Sequence, residues 1–240
     1  SFEGIVVVLD CANGASAGIA SEVFSELGAR VIPRADEPNG SNINDGCGST
    51  HPELLQELVA ESGADVGFAF DGDADRVIAT DERGNIVDGD RMLGVCAKVM
   101  HEEGRLKGDT LVVTVMSNIG LKKYMRSIGI GVAETAVGDR YVLERMLEKG
   151  YSLGGEQSGH VIFLDQNTTG DGMLTAIQVM NILKSSGKRM SALAGEVPIY
   201  PQLLVNVIVE NEQKAAAMAD EDLQAKIREI EARLGDGGEP

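Results

Sequence analysis

Three carboxylates stand at alternate positions in Asp71-Gly72-Asp73-Ala74-Asp75, and Arg76 follows them directly. The run comes straight after the apolar segment Val66-Gly67-Phe68-Ala69-Phe70. If the extended backbone continues through it, alternate side chains share one face and the three Asp converge. Carboxylates that close repel one another unless a cation sits among them. A compact set of hard oxygen donors suits Mg²⁺ or Ca²⁺ better than Zn²⁺. Arg76 adds a planar cationic fork of the kind that recognises phosphate. The run is therefore expected to bind a divalent cation and to face a phosphorylated ligand. The plain alternative is a solvated acidic loop. An EF-hand calcium loop is set aside: Arg76 falls where that loop needs its turn glycine, and a strand-like segment precedes it instead of a helix.

A second unusual run is Gly154-Gly155-Glu156-Gln157-Ser158-Gly159-His160. Polar side chains that both donate and accept hydrogen bonds are interleaved with glycines, between two apolar segments. Glu, Ser and His suit sugar hydroxyls, and glycines let a ligand approach the backbone. Alone, such a run is equally a glycine-rich connection. Beside the Asp run it describes a phosphosugar cleft.

These runs need elements to hold them. Residues 5–9 are a continuous apolar stretch, the pattern of a strand buried on both faces. A turn with Asn13 and Gly14 follows, read as structural because it has neither a GxGxxG nor a Walker pattern. A helix is expected over 17–27, ended by Gly28, then a short strand before Pro33 and a long loop over 36–50. Thr50 is placed to cap a helix over 52–61. The strand 64–70 leads into the Asp run, and 77–80 with 86–87 reads as a hairpin. A second alternation follows: helix 90–103, strand 111–115, helix 121–128, strand 130–134, helix 140–149, strands 151–153 and 160–163, helix 172–185. A strand over 200–209 and a charged helix over 213–234, broken near Asp220, come last. The fold class is α/β: two consecutive three-layer α/β domains with mainly parallel mixed sheets, at 1–88 and 89–196, plus an incomplete α+β unit at 197–240.

Composition bounds the function. The chain has 240 residues, 43% hydrophobic, enough for substantial cores, and a formal net charge of −17. That charge disfavours nucleic acid and anionic membrane as partners. Cys11, Cys47 and Cys96 are widely spaced, without a CxxC pattern, so buried free thiols in a reducing cytoplasm are expected. No apolar run is long enough to cross a bilayer. The sequence opens on Ser1 almost directly into a strand and reads as a partial chain.

The chain resembles the α-D-phosphohexomutase family. Asp71-Gly-Asp-Ala-Asp-Arg76 resembles that family's metal-binding loop, and Gly155-Glu-Gln-Ser-Gly-His160 its sugar-specificity loop. Gln157, Val137-Gly-Asp-Arg-Tyr141 and Val115-Met-Ser-Asn-Ile-Gly120 are most similar to the bacterial branch that acts on glucosamine phosphate. The resemblance implies four domains, the first with a phosphorylated catalytic serine and the last with a phosphate-binding loop. The serine-histidine-asparagine-proline segment of the first is absent, so the resemblance implies domains two, three and part of four, and a chain inactive by itself. It implies transfer of phosphate between C6 and C1 of the sugar through a 1,6-bisphosphate. Mg²⁺ would be held by Asp71, Asp73 and Asp75. Arg76 would steady phosphate, Glu156 and Ser158 would bind hydroxyls, and His160 would touch substrate or brace the loop. Asp139 and Arg140 are second-rank contacts, weighed against an ordinary helix start. The implied partner is a phosphosugar, and a homodimer is an open assembly for the full-length protein. A phosphomannomutase or phosphoglucomutase, or a noncatalytic metal- and sugar-phosphate-binding module, are the competing readings.

Overall fold

The computed structural model describes residues 1–203, 205 and 208–235. Its elements are β1 (Val6–Asp10), α1 (Ile19–Glu26), β2 (Arg30–Arg34), α2 (Glu53–Ser62), β3 (Val66–Phe70), β4 (Val77–Asp81), β5 (Ile86–Val87) and α3 (Gly89–Glu102). They continue with β6 (Thr110–Thr114), α4 (Ile119–Ser127), β7 (Gly131–Thr135), α5 (Asp139–Lys149), β8 (Leu153–Gly155), β9 (Val161–Phe163), α6 (Gly172–Ser186), α7 (Met190–Ala194), α8 (Lys214–Met218) and α9 (Glu221–Leu234).

Two mixed sheets result. The first has the order β2-β1-β3-β4-β5, parallel across β2, β1 and β3 and antiparallel from β3 onward. The second has the order β7-β6-β8-β9, parallel except for the final β8–β9 hairpin. Pro33 lies inside β2, which is tolerated because β2 is an edge strand.

Side-chain alternation sorts the core. In β1, Val7 and Leu9 face one cluster and Val8 the other. Leu55 and Val59 of α2 cover the Val8 and Ala69 face of the first sheet. Val142 and Met146 of α5 cover the Val112 and Ile162 face of the second. The opposite faces share one continuous cluster, running from Phe24 and Phe68 through Met92 and Leu93 to Leu121 and Met180. α6, which follows the second sheet in sequence, packs on β3 and β4 of the first as well as on β9. Residues 1–198 accordingly form one compact unit, and residues 199–240 a second.

Local chemistry sets several boundaries. α2 begins with Pro52 at its N-cap position and no side-chain cap, so Thr50 lies outside the helix and does not cap it. α3 starts earlier than its periodicity predicts, because the Asp88 side chain accepts the Arg91 N–H at 3.0 Å. In the second unit Asp220 caps α9 through the Leu223 N–H, which places the break there. The strand expected over 200–209 falls partly outside the described residues, and the described ones among them belong to no helix or strand.

Candidate metal and sugar-phosphate site

Strand alternation does not bring the three aspartates together. β3 ends at Phe70, and the chain turns through 71–76, with Ala74 in the left-handed region at φ 61. The turn is held from within: Ala74 N–H donates to the Asp71 carbonyl at 3.1 Å and Arg76 N–H to Asp71 Oδ1 at 3.1 Å. One ligand oxygen from each of Asp71, Asp73 and Asp75 then lies within 4.8 Å of the others. A turn gathers side chains more tightly than a pleated strand, whose same-face neighbours are roughly 7 Å apart.

The cluster is electrostatically costly without a cation. Burial, followed by the neighbouring Asp75 and Asp73 charges, pushes the Asp71 carboxyl up to about 6, against the Arg76 N–H that lowers it. Asp75 Oδ1 is buried and has no hydrogen-bond partner among the described residues. Arg76 offers partial compensation, its Nε 4.0 Å from Asp71 and 3.9 Å from Asp75. Three hard oxygens and an orphaned carboxylate oxygen fit Mg²⁺.

Other segments clamp the turn. Ala15 N–H donates to the Gly72 carbonyl at 2.8 Å, and a Cβ on Gly14 would stand 2.9 Å from the Gly72 Cα. Gly172, the first residue of α6, donates to the Ala74 carbonyl at 2.9 Å, and a Cβ there would meet the Arg76 carbonyl oxygen at 2.7 Å. Asp10, fully buried at the end of β1, accepts Ala12 N–H and Gly48 N–H, each at 2.9 Å, and so ties together the two loops behind the turn. Sequence reasoning missed Asp10; its signal is a carboxylate ending an apolar strand before a glycine-containing turn.

The β8–β9 connection carries the second run. Gly159 N–H donates to the Glu156 carbonyl at 3.0 Å and Glu156 N–H to the His160 carbonyl at 2.9 Å. Ser158 is exposed in this turn, while Glu156 is half-buried and its Oε1 accepts Gly138 N–H at 3.1 Å. The two runs join directly, through Val77 N–H to the Gly159 carbonyl at 3.1 Å and an antiparallel bridge between Arg76 and His160. His160 is 2% exposed, with Nδ1 3.0 Å from Asp75 Oδ2. Asp139, at the start of α5, approaches the other ring nitrogen at 3.9 Å. Arg140 is not brought in: its Nε donates to Glu144 one turn along α5, and its side chain is 81% exposed.

Comparison with known proteins agrees with this layout. The family model for the phosphoglucomutase/phosphomannomutase alpha/beta/alpha domain II matches residues 2–84, and that for domain III matches residues 88–200. The phosphoglucosamine mutase of Geobacillus kaustophilus is 57% identical over 237 residues, covering 99% of this chain and 52% of that protein. That of Clostridium perfringens is 56% identical over 234 residues, covering 98% and 52%. The chain thus spans about half the length of the curated relatives it matches. A Burkholderia thailandensis phosphoglucomutase/phosphomannomutase family protein superposes with a TM-score of 0.71 at 29% identity, covering 81% of this chain and 43% of that one. Aspergillus fumigatus N-acetylphosphoglucosamine mutase, solved with GlcNAc-6P and magnesium, shares the fold with a TM-score of 0.77 at 20% identity, covering 96% and 58%. Among the described residues no helix is long and apolar enough to cross a membrane. With two of the family's domain models matched in order over an acidic turn and the glycine-rich β8–β9 loop joined in one compact unit, the chain belongs to the phosphoglucomutase/phosphomannomutase family, the α-D-phosphohexomutases.

Proposed function

We propose that this chain supplies the cation-binding and sugar-binding parts of a phosphoglucosamine mutase, which interconverts glucosamine 6-phosphate and glucosamine 1-phosphate through a 1,6-bisphosphate. The observation that carries the reading is the aspartate cluster whose ligand atoms lie within 4.8 Å, with the buried Asp75 Oδ1 accepting no hydrogen bond from the described residues and meeting only a 3.9 Å approach from Arg76 Nε. The names of the relatives at 53–57% identity support the choice of glucosamine phosphate over other hexose phosphates.

Phosphoryl transfer asks for charge neutralisation and in-line positioning more than for covalent work from most of the protein. Asp71, Asp73 and Asp75 would hold Mg²⁺, which when bound acts as a Lewis acid on the transferring group. Arg76, half exposed beside the cluster, is free to swing its guanidinium onto a phosphate. Glu156 and Ser158 would bind sugar hydroxyls, Glu156 with its carboxylate already oriented by Gly138 N–H. Asp139 is exposed and open to a further hydroxyl, whereas Arg140 would first have to leave Glu144. The phosphoserine donor would come from outside these 240 residues. A reducing cytoplasm fits the three buried free thiols, and a homodimer of the full-length protein is testable by light scattering.

A coupled assay of a full-length protein carrying these residues on glucosamine, glucose and mannose 6-phosphates tests the reading. Glucosamine 6-phosphate is expected to give the highest kcat/KM. Poorest turnover on it would move the protein to the phosphoglucomutase or phosphomannomutase activity. The 240-residue chain with substrate, Mg²⁺ and sugar bisphosphate is expected to show no turnover.

A further inference from the structure

The second sheet sets three loops side by side. β7, β6 and β8 are parallel neighbours in that order, so the loops leaving their carboxyl ends share one edge, with the β6 loop in the middle. The outer two are joined: Glu156, after β8, accepts Gly138 N–H, after β7. Those strands stand two spacings apart, roughly 10 Å, so the Glu156 side chain reaches Gly138 across the end of β6. Continuing the register Leu111↔Leu153 and Val112↔Gly154 brings Glu156 level with Thr114, the last residue of β6. Residues 115–118 therefore form the floor beneath the Glu156 carboxylate, and Val115 is 53% exposed there.

The floor is held from behind by the first turn of α3. Asp90 is fully buried, and its Oδ2 accepts Asn118 N–H at 2.7 Å. Asn118 in turn caps α4, its side chain accepting Gly120 N–H at 2.9 Å. The residue before Asp90 grips the sugar loop. Gly89 N–H donates to the Gln157 carbonyl at 3.0 Å, and a Cβ on Gly89 would stand 2.7 Å from the Gly159 nitrogen. Two consecutive residues of one helix turn thus hold the sugar loop and the β6 loop. The arrangement is costly: Asp90 Oδ1 and Ser117 Oγ are buried, and neither makes a hydrogen bond among the described residues. An apolar residue at 90 would spare the fold that cost but would leave the buried Asn118 N–H without an acceptor.

We propose that Asp90 is a positioning residue for sugar-phosphate binding: through Asn118 N–H it fixes the β6 loop as the floor of the sugar cleft, at a set height under Glu156. Being buried, Asp90 touches no substrate itself. It acts through residues 115–118, and the neighbouring Gly89 contact keeps the sugar loop in register with them.

This inference rests on reading the β8–β9 loop as the sugar site, and the test separates the two. The ¹⁵N-labelled 240-residue chain, in excess Mg²⁺, is titrated with glucosamine 6-phosphate while its amide resonances are followed, for wild type, D90N and D90A. Wild type is expected to shift amides at 156–160 and at 115–118 with one dissociation constant. No shift at 156–160 overturns the sugar site itself. Shifts at 156–160 with 115–118 unmoved overturn the floor, and the role of Asp90 with it; this arm needs no variant to fold. Asn at 90 keeps an oxygen for Asn118 N–H, so D90N is expected within about threefold of wild type, whereas D90A, with no acceptor, is expected at least about tenfold weaker. D90A equal to wild type, or D90N as weak as D90A, overturns positioning through this hydrogen bond. Before ligand is added, both variants are expected to match the wild-type spectrum outside 88–90, 115–120 and 156–160. Changes spread over both sheets would mean a general loosening of the fold and would overturn the positioning role.

Discussion

Gly159 and Val77 meet main chain to main chain. Val77 N–H donates to the Gly159 carbonyl at 3.1 Å, and a Cβ on Gly159 would lie 2.8 Å from the Val77 carbonyl carbon and closer still to its oxygen. Gly159 also has φ 93, in the left-handed region. Gly159→Ala thus combines backbone strain with a clash that no side chain can relieve. It is expected to destabilise the chain by about 3 kcal/mol or more, lowering Tm by roughly 6–12 °C for a protein of this size. Gly150, at φ 72 and with nothing within 4 Å of where a Cβ would stand, is the control. Gly150→Ala carries the strain alone and should cost about 1–2 kcal/mol. Equal losses by calorimetry would mean that the two loops do not approach this closely.

That contact marks where the sequence stops being readable. The apolar runs at 5–9, 66–70 and 111–115 announce strands because strands buried on both faces leave no polar alternation, and the structure has them as β1, β3 and β6. That the Asp run is a dense set of carboxylates is legible from residue type. Its geometry is not: the carboxylates meet because Ala74 takes a left-handed conformation, and an alanine gives no hint of that. Nor does sequence pair His160 with Asp75, 85 positions away, or show that Gly170, Gly172 and Gly159 are glycines because another segment's backbone or a ring lies against them. The return of α6 onto the first sheet is likewise hidden, because its apolar spacing says that a face is buried but not against which sheet.

Glu196 gives a prediction on acid stability. Its carboxylate accepts from Lys98 at 2.7 Å and from Lys188 at 2.8 Å, and these two ammonium groups hold its pKa down at about 2 against the partial burial that raises it. The folded value lies below the ordinary 4.5, so the unfolded chain binds the extra proton as pH falls. The stabilisation is complete above about pH 4.5 and disappears as pH falls towards 2. Glu196→Gln should be less stable than wild type in urea at pH 6, with the difference shrinking below pH 4.5 and closing only as pH nears 2. A difference that stays constant from pH 6 to 3 would show that the lysines do not stabilise the charged form.

The three cysteines are predicted to be inert in the native chain. Burial pushes Cys96 up to about 12, burial and the Asp36 charge do the same to Cys11, and burial raises Cys47. Since the thiolate is the nucleophile, a disulfide reagent at pH 8 should label none of them within minutes, and all three once urea is added. Rapid native labelling of Cys11 or Cys96 would contradict their burial.

Removing one aspartate separates the role of the cluster from its cost. Asp73 is the exposed member, so Asp73→Asn sacrifices little packing. In the metal-free chain the change lessens repulsion among the three carboxylates, and the variant should melt no lower than wild type. With Mg²⁺ at 100 times its dissociation constant, wild type gains about 2.7 kcal/mol, a rise of roughly 5–11 °C in Tm. The variant, having lost a ligand, should gain much less at the same Mg²⁺ concentration. The measurement is a pair of melting curves for each protein, in chelator and in saturating Mg²⁺. A solvated acidic turn without a cation role gives the opposite pattern: equal shifts in both proteins, or none in either.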